Sequence, residues 1–317
     1  MRIAPFAAAA LGALSAPAFA LNILISNDDG MSSNVKALYE ALKAAGHDVI
    51  VSVPCTGQSG RGAGIIMYST TTIVPTNDSD QVNAAGGCRN GAAPIGAPAV
   101  GPFTRAGFDN GDYYYVHGTP VSATLYGLDV VAAARWGKAP DLLLSGPNEG
   151  GNIGKIVVSS GTVGNVQTAA ARGVPSIAVS AGTDTTDNTN LASPYSAVVA
   201  TMTVRLVDAL REKAGSGPLL PPGLSLNVNF PNAPTTSLPF KFSRFGTYEA
   251  YTLTFRNTPP YGVVLGLNAQ PPTAEQSQDE SVLYKTAISV TAMQVGFESR
   301  TTSQEWMRLR LRDLLTQ

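Results

Sequence analysis

Short apolar runs that alternate with helical segments constrain the fold of this chain more than any other feature of its sequence. Leu21–Ser26 is such a run, and runs of this kind are typical of strands buried on both faces of a parallel sheet. Apolar residues then recur at helical spacing up to Gly46, and Asp48–Val53 is a second strand that ends at Pro54. A strand, a helix and a strand within about thirty residues predict a βαβ unit with parallel strands.

The alternation continues along the chain and predicts one α/β domain over residues 21–317. Further strands are expected at Ile65–Val74, Tyr113–Val116, Asp141–Leu144, Ser176–Ser180 and Leu224–Phe230, and helices at Ser122–Ala134, Thr162–Ala171 and 195–213. Lys241–Met293 is predicted to be rich in β-structure, and Gln304–Leu315 to form an amphipathic helix. Residues 75–112 are polar, rich in Gly and Pro and without periodicity, which predicts an insertion or a lid.

Residues 1–20 have the features of a cleaved secretory signal peptide. Arg2 gives a positive start, the apolar run that follows is too short and too rich in Ala to span a bilayer, and Ala18-Phe19-Ala20 fits a cleavage site. The mature chain is therefore expected to begin at Leu21 and to be periplasmic or secreted. In an oxidising compartment Cys55 and Cys88 are candidates for a disulfide, with two separate thiols as the alternative.

The composition excludes several classes of function. Lys and Arg number 21 against 22 Asp and Glu, so the charge gives no electrostatic reason to expect binding to a nucleic-acid duplex. Two His and two Cys exclude a three-His zinc centre, a four-Cys zinc site and an iron–sulfur cluster. No segment after residue 20 is long and apolar enough to predict a membrane span. Any metal must therefore be held mainly by oxygen ligands.

Polar residues follow three of the predicted strands or their adjoining loops. Residues 27–30 read Asn-Asp-Asp-Gly, residues 58–60 read Gln-Ser-Gly, and residues 145–148 read Ser-Gly-Pro-Asn. Sites in open α/β sheets form outside the carboxyl ends of the strands. Two adjacent carboxylates with hydroxyl and amide oxygens favour a hard divalent cation such as Mg²⁺, Mn²⁺ or Ca²⁺. For Asp-Asp-Gly alone, the alternative is a turn that caps a helix.

A second candidate site precedes the helix predicted at Thr162–Ala171. Ser160, Gly161 and Thr162 stand at its start, where free backbone N–H groups form a cradle for an anion such as phosphate. The alternative is that Ser160 or Thr162 simply caps the helix.

Taken in order along the chain, these motifs resemble one protein family. The segments ILISNDDG (23–30), QSG (58–60), HGTP (117–120), PDLLLSGPNEGGNIG (140–154), SSGTVG (159–164), GVPSIAVS (173–180) and LSLNVNFP (224–231) are similar to those of the survival protein SurE family, which comprises metal-dependent 5′/3′-nucleotidases and acid phosphatases. The resemblance covers most of residues 21–317. It implies a Rossmann-like three-layer sandwich with a mostly parallel sheet and β-hairpin excursions. It further implies a C-terminal arm within 241–317 that takes part in subunit exchange, and hence a homodimer or homotetramer.

The resemblance also implies roles for individual residues. One divalent metal per subunit would be held by Asp28, Asp29, Ser59 and Asn148, with the two aspartates as the catalytic pair. Ser160, Gly161 and Thr162 would bind phosphate, together with the Gly-x-Asn-x-Gly turn at Asn152. The expected substrate is a nucleoside monophosphate or another small phosphomonoester.

Three other interpretations fit parts of the same sequence. A broad-specificity acid phosphatase would use the same site, whereas a non-catalytic secreted nucleotide- or phosphate-binding protein would keep the anion cradle without turnover. Cys55 and Arg61 also have the C-x₅-R spacing of a cysteine phosphatase. In that class the loop leads into a helix that lowers the thiol pKa, whereas Ile65–Val74 is predicted to be a strand.

Overall fold

A computed structural model describes residues 20–75, 86–185 and 187–314 of the chain. The predicted signal peptide, apart from Ala20, lies outside the described residues, as do residues 76–85 of the insertion. The strands that the structure describes are β1 Asn22–Ser26, β2 Asp48–Pro54, β3 Val100–Pro102, β4 Tyr113–Val116, β5 Leu142–Glu149, β6 Ser176–Ala181, β7 Leu224–Asn229, β8 Phe240–Ser243, β9 Tyr251–Arg256, β10 Gly262–Leu267 and β11 Ile288–Gln294.

Nine of these strands form one sheet in the order β3-β4-β2-β1-β5-β6-β7-β11-β8. The strands from β4 to β7 along this order are parallel, whereas β3 and β11 pair antiparallel to their neighbours β4 and β7. The chain leaves β1 towards β2 on one side and later adds β5 on the other. A crevice therefore opens between the carboxyl ends of β1 and β5, where parallel sheets of this kind place their ligands.

Helices cover both faces of the sheet and give the three layers of a Rossmann-like sandwich. The described helices are α1 Ser33–Ala44, α2 Pro120–Tyr126, α3 Ala132–Trp136, α4 Gly161–Ala171, α5 Pro194–Ala214, α6 Glu280–Leu283 and α7 Thr301–Arg310, with a π-helical turn at Gly127–Val131 between α2 and α3. Successive side chains of a strand point to opposite faces. Ile23 and Ile25 accordingly pack in the core that contains α1 and α5, whereas Leu24 packs in the core that contains α4.

The predicted fold class is confirmed, but the strand expected at Ile65–Val74 is wrong. That segment has only isolated bridges, from Met67 to Gly118 and from Thr72 to Pro98. The position beside β2 is filled by β4, and β3 forms the edge beyond it. Because β-propensity reflects the pairing and burial that a segment finds, Ile and Thr without a free strand edge do not form a strand.

The insertion and the C-terminal region add strands at the two ends of the nine-stranded sheet, together with a separate hairpin. Residues 86–112 include β3 and a 3₁₀ turn at Arg89–Gly91, and Cys88 within them forms a disulfide with Cys55. The β-rich segment contains β8 and β11 in the main sheet, and β9 and β10 as a separate hairpin. None of the described helices combines the length and apolar character that a membrane-spanning helix needs.

Candidate active site

Two hydrogen bonds between Asn27 and Gly30 close the loop after β1. Asn27 donates from Nδ2 to Gly30 O at 2.6 Å and accepts the Gly30 N–H on Oδ1 at 3.0 Å. The loop buries two adjacent carboxylates: Asp28 is 2% exposed and Asp29 is 5% exposed. Burial of paired carboxylates is costly unless they are neutralised or bound to a cation.

Two other segments meet these carboxylates. Thr162 Oγ1 donates to Asp28 Oδ1 at 2.7 Å, and Ser59 Oγ donates to Asp29 Oδ1 at 2.8 Å. The Gln58 N–H also donates to Asp28 O at 2.7 Å. The structure thus brings together the residues that sequence analysis singled out after β1, after β2 and at the start of α4.

The environment shifts the pKa of both aspartates upward. Burial, followed by repulsion from Asp29, raises the pKa of Asp28 to about 7. Burial, followed by repulsion from Glu149, raises the pKa of Asp29. The hydrogen bonds from Thr162 and Ser59 act in the opposite direction, because they favour the ionised carboxylates. The site is therefore short of positive charge, which a bound cation would supply.

Asn148 lies at an irregular part of β5, beside the same crevice. The pairing of β5 with β6 shifts register between Ser145 and Asn148. Asn148 donates from Nδ2 to Gly150 O at 2.8 Å, while its Oδ1 is buried and has no hydrogen-bond partner. A buried amide oxygen without a donor is costly, and ligation of a cation is one way to satisfy it.

The side-chain oxygen atoms of these residues fit a hard divalent cation. Among residues 20–75, 86–185 and 187–314, no group of three or more His, Cys, Asp or Glu side chains is arranged to hold a metal. The expected ligand set does not need one, because it combines two carboxylates with a hydroxyl and an amide oxygen. The buried carboxylates with raised pKa and the unpartnered Asn148 Oδ1 are the two observations that favour the cation.

The start of α4 approaches the carboxylates very closely. Ser160 caps the helix by accepting the Val163 N–H on Oγ at 3.1 Å, so its hydroxyl performs the capping role that sequence analysis gave as the alternative. A Cβ at Gly161 would lie 2.7 Å from Asp28 Cβ and 2.9 Å from Pro120 Cγ. Only glycine allows this approach. The Thr162 N–H donates to the Asp28 carboxylate and the Val163 N–H to Ser160 Oγ, so the N-terminus of α4 already faces negative charge.

Asn152 is held in the loop after β5 by a polar network. Its Nδ2 donates to Ser180 Oγ at 2.9 Å, and its N–H donates to Asn229 Oδ1 at 2.9 Å. Its carbonyl accepts from Asn227 and Asn229, and Glu280 Oε1 accepts the N–H of Gly154 in the same turn. The contacts of Asn152 thus connect the candidate phosphate loop to β6 and β7.

Two charged residues beside the site, Arg89 and Glu149, were not predicted from the sequence. Arg89 donates from Nη1 to Asp29 O at 2.7 Å and from Nη2 to both carboxylate oxygens of Glu149, at 2.9 and 3.0 Å. Glu149 directly follows Asn148, which was a weak signal. Arg89 gave no signal of its own, because 60 residues separate it from each partner and it lies in a non-periodic insertion.

The cysteine-phosphatase interpretation fails because of the expected disulfide and not because of the expected strand. The Ile65–Val74 strand used against it does not form. Cys55 is instead bonded to Cys88, and a disulfide sulfur is not a thiolate nucleophile.

Comparison with known proteins identifies the family. The family model for survival protein SurE matches residues 23–252. An acid phosphatase of Yarrowia lipolytica is 34% identical over 66% of this chain, which spans 56% of that protein's length. A 5′-nucleotidase SurE of Methanocella arvoryzae is 32% identical over 76% of this chain and 78% of its own length.

A solved structure supports the fold. The SurE protein of Aquifex aeolicus superposes with a TM-score of 0.61 and covers 91% of this chain and 99% of its own, at 23% identity. This similarity concerns the fold alone. Together with the family match over more than half of the sequence, it leads to one conclusion: this chain belongs to the survival protein SurE family.

Proposed function

We propose that this chain is a secreted or periplasmic, cation-dependent phosphomonoesterase that hydrolyses nucleoside monophosphates to nucleoside and phosphate. The chain belongs to the SurE family, and its relatives are named acid phosphatase and 5′-nucleotidase, which supports a hydrolase of phosphoric monoesters. The observation that carries the proposal is the buried pair Asp28 and Asp29, placed against the start of α4 at the crevice between β1 and β5.

Each part of the site has a role in this proposal. One divalent cation per subunit, held by Asp28, Asp29, Ser59 and Asn148, would polarise a phosphoryl oxygen and lower the pKa of water. The N–H groups at the start of α4 bind and orient the remaining phosphate oxygens. A carboxylate oxygen of Asp28 or Asp29 accepts the proton of the attacking water.

Apolar side chains border the site and support a nucleoside as the leaving group. The Gly62 N–H donates to Ser159 O at 3.0 Å, so the loop after residue 60 lies beside the start of α4. Ile65 in this loop is 65% exposed, and Val158, which directly precedes Ser159, is 82% exposed. A planar base buries apolar surface against such side chains, whereas a small phosphate ester without a base does not.

Hydrolysis of a substrate panel tests the proposed function. We expect nucleoside 5′- and 3′-monophosphates to be hydrolysed with a higher kcat/KM than ribose 5-phosphate, which has the same phosphoester and no base. Chelator should abolish the activity, and Mg²⁺, Mn²⁺ or Ca²⁺ should restore it, because the ligands are all oxygens.

The outcomes separate the alternatives. Equal rates on nucleotides, ribose 5-phosphate and a generic aryl phosphate would favour the broad-specificity acid phosphatase. Nucleotide binding without turnover under each of the three cations would favour the non-catalytic binding protein. Activity that persists in chelator would contradict the cation-dependent mechanism.

Export from the cytoplasm is part of the proposal. It rests on the signal-like residues 1–20 and agrees with the disulfide between Cys55 and Cys88. Disulfides persist mainly in oxidising compartments.

We also propose that the chain assembles as a homodimer or homotetramer through its C-terminal region. Cross-strand pairs place six apolar residues of the β9–β10 hairpin on one face: Tyr251 with Leu267, Leu253 with Leu265, and Phe255 with Val263. Five of these six side chains are among the exposed large hydrophobics. A two-stranded hairpin with an exposed apolar face is only marginally stable by itself, so a partner surface is expected.

Light scattering after size-exclusion chromatography tests this assembly. We expect the wild type to have the mass of a dimer or tetramer, and Phe255→Asp with Val263→Lys to shift it towards the monomer, because charges replace an apolar contact. The matched control is Thr254→Asp with Val264→Lys on the opposite face of the same hairpin. A monomeric wild type, or an equal shift in the control, would contradict the proposal.

A further inference from the structure

The disulfide fixes the insertion against the carboxyl end of β2. Cys55 directly follows β2, and its bond to Cys88 brings residues 88–90 to this point of the sheet. The Arg89 N–H also donates to Cys55 O at 2.7 Å. The disulfide makes this attachment covalent. Both cysteines are buried, so it is also shielded from solvent.

Two side chains of the attached segment bind the backbone of the carboxylate loop. Arg89 Nη1 donates to Asp29 O at 2.7 Å, and Asn90 Nδ2 donates to Met31 O at 2.9 Å. Between these carbonyls stands Gly30, with φ +77°, where a Cβ would lie 2.8 Å from Pro54 O. The backbone that carries Asp29 is therefore held between β2 and the insertion.

Arg89 also pairs with a third carboxylate beside the loop. Its Nη2 contacts both oxygens of Glu149, and Asn188 Nδ2 donates to Glu149 Oε1 at 2.6 Å. Asp28, Asp29 and Glu149 contribute three negative charges. Arg89 and one divalent cation contribute three positive charges, so together they balance the three carboxylates when all three are ionised.

We propose that Arg89 is a positioning residue of the cation site, and that the Cys55–Cys88 disulfide holds it in place. By fixing the Asp29 carbonyl and the Glu149 carboxylate, Arg89 sets the affinity for the divalent cation. The inference rests on the proposed function in so far as that function requires a cation. Residues behind metal ligands orient them, and their loss typically lowers metal affinity about 10- to 100-fold.

Arg89→Lys is the most informative variant, because it keeps the positive charge and loses the bidentate geometry. We expect the dissociation constant for Mn²⁺, measured by calorimetry without substrate, to rise about tenfold or more. At saturating Mn²⁺, kcat should stay near that of the wild type, because the guanidinium of Arg89 is bound to Asp29 O and Glu149 and its proposed role is to set the affinity for the cation. The matched control is Arg172→Lys, which removes an equivalent bidentate contact with the exposed Asp129.

A double-mutant cycle tests the role of the disulfide. Replacing both cysteines, Cys55→Ala with Cys88→Ala, should weaken Mn²⁺ binding in the same direction. Adding Arg89→Lys to that variant should weaken binding little further, because residues that act through one arrangement are non-additive. The unfolding temperature of each variant in chelator reports on the fold separately.

The outcomes are distinguishable from failure of the proposed function. Wild-type affinity in Arg89→Lys, or an equal loss in Arg172→Lys, would overturn the positioning role while hydrolysis by the wild type still stood. Fully additive effects in the cycle would overturn the role of the disulfide. A wild type that binds no Mn²⁺ would overturn both this inference and the cation-dependent function. Arg89→Lys keeps the disulfide, so it decides the main point even if the cysteine variant does not fold.

Discussion

Asp28→Asn is expected to lower kcat/KM by about 10²- to 10³-fold or more, the range found when a single group that stabilises a transition state is removed. The substitution keeps the shape of the side chain and removes the negative charge proposed to hold the cation. Steady-state hydrolysis of a nucleoside monophosphate, with the cation varied, measures the loss. Asp129→Asn is the control, because Asp129 is exposed and pairs with Arg172 away from the site.

The same substitution should stabilise the cation-free protein. Burial and Asp29 raise the pKa of Asp28 from 3.8 to about 7 in the folded state. A carboxyl with a raised folded pKa contributes stability that is present below its unfolded pKa, and this contribution is lost as the pH rises through the folded value. In chelator, the wild type should therefore lose stability between about pH 4 and pH 7.

Asp28→Asn should lose less stability over that range, because it has no charge at this position to bury. Thermal unfolding followed by circular dichroism at pH 5 and pH 8, with chelator present, measures the difference. An asparagine variant with full activity would contradict the catalytic role of Asp28. A variant that unfolds at a lower temperature than the wild type at pH 8 would contradict the electrostatic account.

Gly161→Ala is expected to lower kcat/KM by about 10²-fold, because a displacement of about 1 Å between reacting groups has that effect. The added Cβ would lie 2.7 Å from Asp28 Cβ and 2.9 Å from Pro120 Cγ, so the helix start and the carboxylate must move apart. Inhibition by inorganic phosphate should weaken in parallel, since the same displacement moves the N–H groups proposed to bind it.

Gly151→Ala is the matched control for this change. A Cβ there would be 3.6 Å from its nearest neighbour, Asn229 Oδ1, which is an ordinary contact. Wild-type kinetics in Gly161→Ala would show that the close approach to Asp28 has no importance for the reaction. A loss in Gly151→Ala as large as in Gly161→Ala would show that any added methyl group in these loops disturbs the site.

The elements that could be predicted from sequence are those with a strong local signal. Short apolar runs coincide with β1, β2, β4, β6 and β7. Helical spacing of apolar residues, with signals at the helix ends, coincides with α1, α4 and α5. Ile65–Val74 has the residues of a strand, but strand formation depends on an available neighbour, and β4 occupies that place. β5 continues to Glu149, five residues beyond the predicted Leu144, because an irregularity in its pairing with β6 lets the Ser-Gly-Pro-Asn segment remain in the sheet.

The candidate site also contains residues that the sequence predicts and contacts that depend on tertiary packing. Asp28 and Asp29 could be proposed because they directly follow a buried strand, and topology alone directs such residues to one edge of the sheet. The unpartnered Asn148 Oδ1 and the contact between Gly161 and Asp28 depend on how loops pack, which has no local sequence signal. The hydrogen bond from Arg89 to Asp29 O joins residues 60 positions apart, so it likewise has no local sequence signal.

The amino-acid sequence by itself determined the layered α/β fold, the mainly oxygen ligands available to any metal, and the residues at the ends of the central strands. These follow from hydrophobic periodicity and composition, which act over a few residues at a time. Only the tertiary structure decided which polar groups meet: the Arg89 guanidinium with the Glu149 carboxylate and the Asp29 carbonyl, and the Thr162 hydroxyl with the Asp28 carboxylate. Such contacts depend on distances of a few ångströms between segments far apart in the chain, and packing of the whole domain sets those distances.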